Sequence, residues 1–342
     1  MEKSYAPVKI PTLCRYEHFK RCVESLSRCT GADQTELYIG LDYPANKSHV
    51  EGWKKISEYV DTITGFKEIH VFRRTCNWGA VKNMSDLTLH IQEKFNRMIY
   101  TEDDNEFAPN FLEYMNEGLE KYKDNNDVLR ICGCVIPWGA DFEGCMESYP
   151  YNAFPAHDFV SWGVGCWLNK NIDYFTKMDL LNSYKLSFKA IRMGYCLAVD
   201  RCLTNLNKPT TNPDICLRLY CAFNDKYCIF PSKSLVRNWG FDGSGLNSNN
   251  TPEMGLVSID TSRTFSFDDF EIKDYPQVKM FVKQMYGAPV EHPKIKWGVL
   301  KKYLYYRILG KLPQDIPQDK NRYLLFILYF LKSIIGLSRV KK

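Results

Sequence analysis

Three adjacent carboxylates, Glu102, Asp103 and Asp104, follow the short apolar run Arg97-Met-Ile-Tyr-Thr101. An apolar run of that length is buried in a sheet, so the triplet emerges at a strand end, where the charges repel one another and lose hydration. A divalent cation with a taste for oxygen ligands, Mn²⁺ or Mg²⁺, would relieve both costs. A solvated acidic turn in front of a helix would also accommodate the triplet, because helix N-termini favour acids. A second cluster, Gly240-Phe-Asp-Gly-Ser-Gly245, combines three glycines with an acid and suits a flexible loop closing over phosphate. Neither a Gly-x-Gly-x-x-Gly after a strand nor a Gly-x-x-x-x-Gly-Lys occurs, which disfavours nicotinamide and P-loop chemistry.

The thirteen cysteines contain no Cys-x-x-Cys pair, and six histidines stand at no metal-binding spacing. Cys132 and Cys134 share one face of a strand-like run and read as core. The opening Met-Glu-Lys-Ser-Tyr lacks the apolar stretch of a secretory signal, so a reducing, cytoplasmic setting is expected.

The elements that must position these groups alternate. Val8 to Leu13 reads as a strand and Glu17 to Cys29 as a helix with Phe19, Cys22, Val23 and Leu26 on one face. Glu36 to Asp42 is a second strand ending in a carboxylate, Val50 to Tyr59 a helix, Glu68 to Arg73 a third strand, and Lys82 to Phe95 a helix. After the triplet, Pro109 is placed as a first helical residue before the stripe Phe111, Met115, Leu119 and Tyr122, and Val128 to Ile136 is strand-like. Repeated β-α units predict a mostly parallel central sheet with helices on both faces, whose ligands bind beyond the carboxyl ends of the strands. From Pro137 to Asn250 the composition is that of irregular, pocket-shaping loops. Asn247 to Pro252 reads as a mobile loop and Ser266 to Tyr286 as an accessory helix.

Residues 294–342 carry twelve basic against two acidic residues, a balance of +10, so that with a net charge of +5 residues 1–293 carry −5. The tail interleaves charge with apolar residues, as in Tyr323-Leu-Leu-Phe-Ile-Leu-Tyr-Phe-Leu331, which fits a membrane surface rather than nucleic acid. Nine unbroken apolar residues cannot span a bilayer. An interfacial helix is expected, with a helix docked on the body as the alternative.

Four blocks, Leu13-Cys-Arg-Tyr-Glu-His-Phe19, Tyr100 to Phe111, Ser161-Trp-Gly-Val-Gly-Cys-Trp167 and Pro231 to Gly245, resemble those of the GT-A nucleotide-sugar glycosyltransferases. The likeness is to the bacterial family 2 enzymes and the N-acetylglucosaminyltransferase I group with its Glu-Asp-Asp motif. It covers Val8 to about Ser248 and implies a GT-A, Rossmann-like α/β fold with a donor half over 1–136 and an acceptor half over 137–250; beyond it, the composition gives an accessory helical segment over 251–293 and a basic amphipathic tail over 294–342. By the same resemblance Asp104 ligates the metal, Asp103 lies near the ribose or sugar and Glu102 near the sugar hydroxyls. Arg15 meets the diphosphate or base, Asp42 reads uracil, and Asn77, Trp78 and Gly79 wrap the nucleotide. Ser161, Trp162 and Gly163 contact donor sugar or acceptor, and Asp214 is the base for an inverting transfer. Plain alternatives exist for several: a surface arginine for Arg15, turn residues for Asp42 and Gly79, core for Trp162, a helix start for Asp214. Asn247 stands where relatives often carry His-Cys.

The implied activity is an inverting, metal-dependent transfer of a hexosyl or N-acetylhexosaminyl group. The sugar would pass from a UDP donor to a saccharide or lipid-linked glycan acceptor in polysaccharide synthesis at the inner face of a bacterial membrane. A non-catalytic glycan-binding or membrane-tethering protein on the same scaffold is the alternative. A methyltransferase would need a glycine-rich first β-α turn, which Leu13 to His18 lacks.

Overall fold

The computed structural model describes residues 5–135, 149–170, 172, 175–206, 213–244, 257–267, 293–310, 312, 326–327 and 330. Two compact units emerge, Met1–Ile172 with Asn224–Phe281, and Asp173–Phe223 with Val282–Lys342.

The first unit is built on β-α alternation. Val8–Thr12 (β1), Glu36–Leu41 (β2), Glu68–Arg73 (β3) and Arg97–Tyr100 (β4) are parallel strands. They are joined by the helices Tyr16–Ser27 (α1), Val50–Tyr59 (α2) and Gly79–Gln92 (α3). In α1 the spaced residues Phe19, Cys22, Val23 and Leu26 are buried, as their periodicity requires. The remaining elements are Asn105–Phe107 (β5), Phe111–Lys121 (α4), Val128–Cys132 (β6), Ala153–Ala156 (β7), Val164–Trp167 (β8), Tyr227–Pro231 (β9) and Val236–Asn238 (β10).

Eight strands form one sheet in the order β3-β2-β1-β4-β8-β6-β9-β7. Strands β8 and β7 run against their neighbours, so the sheet is mixed but mostly parallel. The expected α/β architecture is therefore present. Strand β7 ends the sheet and carries Pro155, which an edge strand tolerates because its missing N–H costs no central ladder bond.

Two expectations need correction. Pro109 lies outside its helix: α4 begins at Phe111 behind Asn110, while the Pro109 carbonyl accepts the Thr30 N–H at 2.8 Å. The stretch 137–250 is not chiefly irregular. Its described residues hold four strands and four helices, hidden because β7 and β8 are buried on both faces and so lack period-two alternation. Helix α4 lies close on this part of the sheet: a Cβ at Gly163, whose φ is +68°, would meet the Phe111 ring at 2.9 Å, so that turn into β8 requires glycine.

The second unit is helical, with Lys177–Asn182 (α5), Tyr184–Arg192 (α6), Cys196–Thr204 (α7), Pro213–Asn224 (α8) and Pro293–Leu309 (α9). Thr176 and Asp179 form a reciprocal capping box that starts α5. Leu180, Leu181, Ile191, Val199, Leu203 and Leu219 make its core, and α9 adds Val299 and Tyr303. The first helix of the basic tail is thus docked on its own unit, and Phe326 stacks on Tyr305 at 4.3 Å. Among the described residues no helix is long and apolar enough to cross a membrane. The expected loop at 247–252 and nearly all of the expected helix at 266–286 lie outside the described residues, as does most of 323–331.

Candidate functional site

Strands β1 and β4 are neighbours and parallel, so the loops that leave their carboxyl ends meet. Thr12 ends β1 and Arg15 opens α1; Glu102, Asp103 and Asp104 follow β4. The chain then enters β5, which pairs antiparallel with β10 so that Asn105 faces Asn238. This two-stranded ribbon carries the 238–242 segment onto the acidic triplet, and the Trp239 N–H donates to the Asp104 carbonyl at 2.8 Å.

Asp103 and Asp104 are each 6% exposed. The Thr12 hydroxyl donates to Asp103 Oδ2 at 2.9 Å, and Asn238 Nδ2 donates to Asp104 Oδ1 at 2.8 Å. Asn238 also donates to Asn105 Oδ1 and accepts from the Gly240 N–H, so its amide is fixed in orientation. The other two carboxylate oxygens face the Arg15 guanidinium: Nη2 bonds to Asp103 Oδ1, and Nη1 lies 2.8 Å from Asp104 Oδ2. Burial pushes the Asp103 carboxyl above its ordinary range; Arg15 opposes this and the Asp104 charge adds to it. Burial works against the Arg15 charge, yet Asp103 and Asp104 hold its pKa above the usual arginine value.

The 239–242 segment is held from two further sides. His18 Nε2 lies 3.2 Å from both the Trp239 carbonyl and Asp242 Oδ2. The Trp239 ring is covered by Arg21 at 4.5 Å, and its indole N–H donates to Glu106 at 2.8 Å. Phe241 meets Trp162 edge-on at 5.5 Å, which draws the 161–163 turn into the same region. Glu102 is half-buried, and its carbonyl accepts from the Thr101 hydroxyl at 3.2 Å.

Asp42 directly follows β2 and has a different environment. Its Oδ1 accepts the Tyr43 and Trp78 N–H groups, and its Oδ2 accepts the Gly79 N–H and Asn77 Nδ2. Asp42 therefore ties the loop that contains Asn77 to the start of α3. Both residues lie on the carboxyl-end side of the sheet, as Arg15 and the triplet do. Asp214 sits in the first turn of α8, whose residues up to Phe223 belong to the second unit, and it is half-buried.

A cation at Asp103 and Asp104 is compatible with the groups present. The donors are carboxylate oxygens, the class that Mn²⁺ and Mg²⁺ prefer. Space at Asp104 Oδ2 depends on glycine, because a Cβ on Gly240 would stand 2.2 Å from that oxygen. Glu36, Glu68 and His70 form a second group able to hold a metal, with ligand atoms all within 4.8 Å. It lies at the amino ends of β2 and β3, across the sheet from Asp104. Sequence spacing did not flag it, since it arises from pairing Glu36 with Glu68 and Tyr38 with His70.

Thr12, Asn105, Asn238 and His18 received no role from sequence. Three of them stand inside the quoted blocks, which was the available signal; that Asn105 and Asn238 face one another is visible only in the fold.

No family model and no curated protein matches this sequence. Among solved structures the chain is similar to a mannosyltransferase, PcManGT from Pyrobaculum calidifontis, in complex with GDP-Man and Mn²⁺, with a TM-score of 0.37 and 11% identity over 64% of this chain and 70% of that one. It is also similar to mouse xyloside xylosyltransferase 1 in its apo form, with a TM-score of 0.33 and 10% identity over 65% of this chain and 83% of that one.

Proposed function

We propose that this chain is a metal-dependent, inverting GT-A glycosyltransferase that moves a hexosyl or N-acetylhexosaminyl group from a nucleotide donor, UDP by preference, to a saccharide or lipid-linked glycan. The observation that carries the reading is the convergence of Arg15, Asp103, Asp104 and the 238–242 segment where β1 and β4 end. Two buried carboxylates, a guanidinium and glycine-lined space would suit a cation together with a diphosphate.

Asp104, with Asp103 beside it, would hold Mn²⁺ or Mg²⁺, which when bound neutralises charge on the departing nucleoside diphosphate. Arg15 adds positive charge for the phosphates. Glu102 and the turn Ser161, Trp162 and Gly163 border the sugar, and Asn77 and Gly79, anchored by Asp42, border the nucleotide. Asp214 is assigned as the base that takes the acceptor hydroxyl proton, so that the oxygen attacks the anomeric carbon with inversion. Residues 294–342 are assigned to the membrane surface on the inner face of the cell, in surface-polysaccharide synthesis. In support, Ile295 and Trp297 are exposed, Trp297 at 65%, next to Lys294 and Lys296.

A second reading has an observation of its own. With Arg15 on both aspartates the pair is partly neutralised without a cation, the resting state expected of a non-catalytic glycan-binding or membrane-tethering scaffold. A panel of UDP, GDP and CMP sugars with Mn²⁺ separates the two. Donor-dependent thermal stabilisation and donor hydrolysis, both lost in Asp104→Ala, are expected for the enzyme. Protection by no donor removes that reading.

A further inference from the structure

The four carboxylate oxygens of Asp103 and Asp104 divide evenly. Two accept from neutral donors fixed by the fold, Thr12 Oγ1 and Asn238 Nδ2. The other two face Arg15, so an incoming cation and the guanidinium need the same oxygens. The charges do not balance with Arg15 in place: one positive group stands against two buried carboxylates, which leaves the cluster at −1 when both are ionised. A divalent ion in its stead would bring the cluster to neutrality and release a positive side chain.

Arg15 is also built to leave. Its side chain is 23% exposed whereas those of Asp103 and Asp104 are 8% and 7% exposed. Its hold on Asp104 is a single contact, Nη1 to Oδ2 at 2.8 Å. The backbone is fixed independently, since the Arg15 carbonyl accepts the Phe19 N–H in the first turn of α1, so the guanidinium can swing without unwinding the helix.

We propose that Arg15 is the exchangeable counter-ion of the Asp103–Asp104 pair. A divalent cation displaces its guanidinium, which then becomes available to the donor's phosphates, so that cation entry and Arg15 release are one coupled event. This deepens the reading of the site as a cation and donor site and rests on it. Arg15 is then a competitor for the metal in the absence of donor, and removing it strengthens cation binding.

The test is Mn²⁺ alone, titrated calorimetrically and by electron paramagnetic resonance into the full-length wild type, Arg15→Gln, Arg15→Lys and Asp104→Asn. Arg15→Gln is expected to bind Mn²⁺ at least about tenfold more tightly than wild type, with Arg15→Lys between them and Asp104→Asn losing the site. Thermal stabilisation by Mn²⁺ is expected to be larger in Arg15→Gln than in wild type; should that variant fold only with Mn²⁺, the requirement itself supports exchange. Equal or weaker Mn²⁺ binding by Arg15→Gln, with wild type still binding, overturns the exchange and leaves the cation reading standing. Failure of every protein to bind Mn²⁺, or Asp104→Asn binding like wild type, overturns both.

Discussion

Gly240→Ala tests the site through packing alone. An alanine Cβ would lie 2.2 Å from Asp104 Oδ2, 3.0 Å from its Cγ and 3.1 Å from Asn238 Oδ1. Ordinary contact begins near 3.4 Å, so the carboxylate or the loop must shift by roughly 1 Å. Neither is a compliant side-chain end: Asp104 is held by Asn238 at 2.8 Å and by Arg15, and the loop by the Trp239 and Gly240 N–H bonds. Overpacking of this kind costs about 1–3 kcal/mol. Urea unfolding followed by circular dichroism should show that loss, and Mn²⁺ affinity should fall with it because the displaced atom is a proposed ligand. Gly298→Ala is the control. It lies inside α9 with nothing within 4 Å, and alanine there should stabilise by about 0.5–1 kcal/mol. A Gly240→Ala protein with wild-type stability and wild-type Mn²⁺ affinity would refute the placement of Asp104 beside this loop.

Lys9 provides a pH test. Burial lowers its pKa to about 8, and its ammonium donates to the Met84 carbonyl and the Thr88 hydroxyl. The unfolded chain then holds more protons above pH 8, so stability should rise between about pH 8 and 10.5, by at most ~3 kcal/mol from this group, and Lys9→Met should remove that rise in urea titrations. Asp42→Ala should cost about 2–4 kcal/mol, because it strands the Tyr43, Trp78 and Gly79 N–H groups; a loss below about 0.5 kcal/mol would show that Asp42 does not organise the loop. Lys170→Met should cost about 2–4 kcal/mol in thermal or urea unfolding, since the ammonium donates to the Tyr122, Asn125 and Val128 carbonyls and lies 3.6 Å from the centre of the Trp167 ring.

Local signals carried the first hundred residues. Val50–Tyr59 and Glu68–Arg73 have the bounds expected from their periodicity, and the helix Tyr16–Ser27 begins one residue early. The acidic triplet was placed at a strand end because an apolar run precedes it, and β4 does end at Tyr100. Other features depended on partners far along the chain. Nothing local distinguishes Asn238 from any other polar residue, and its role follows from pairing with Asn105 across 133 positions. Strands β7 and β8 were missed because full burial erases alternation, and Pro109 was misplaced because a proline before a helix reads the same at N1 as two residues ahead of it. Asp42 was located correctly at a strand end, but its four accepted hydrogen bonds could not be read from type or spacing.

The ribbon of β5 and β10 also decides what kind of site this can be. Strands β1 and β4 alone would bring Arg15 to Asp103 and Asp104, a simple ion cluster at a sheet end. The ribbon adds a neutral amide on one Asp104 oxygen and glycine beside the other, which orients the carboxylate and leaves one oxygen available to charge. A cluster that served stability alone would gain from a second cation within the chain to balance two buried carboxylates, yet among the described residues Arg15 is the one basic group in an ion pair with either aspartate. On the proposed reading, the single counter-charge, the partly exposed arginine and the glycine-dependent space support exchange with a cation from solution, which would offset the electrostatic cost of burying Asp103 and Asp104.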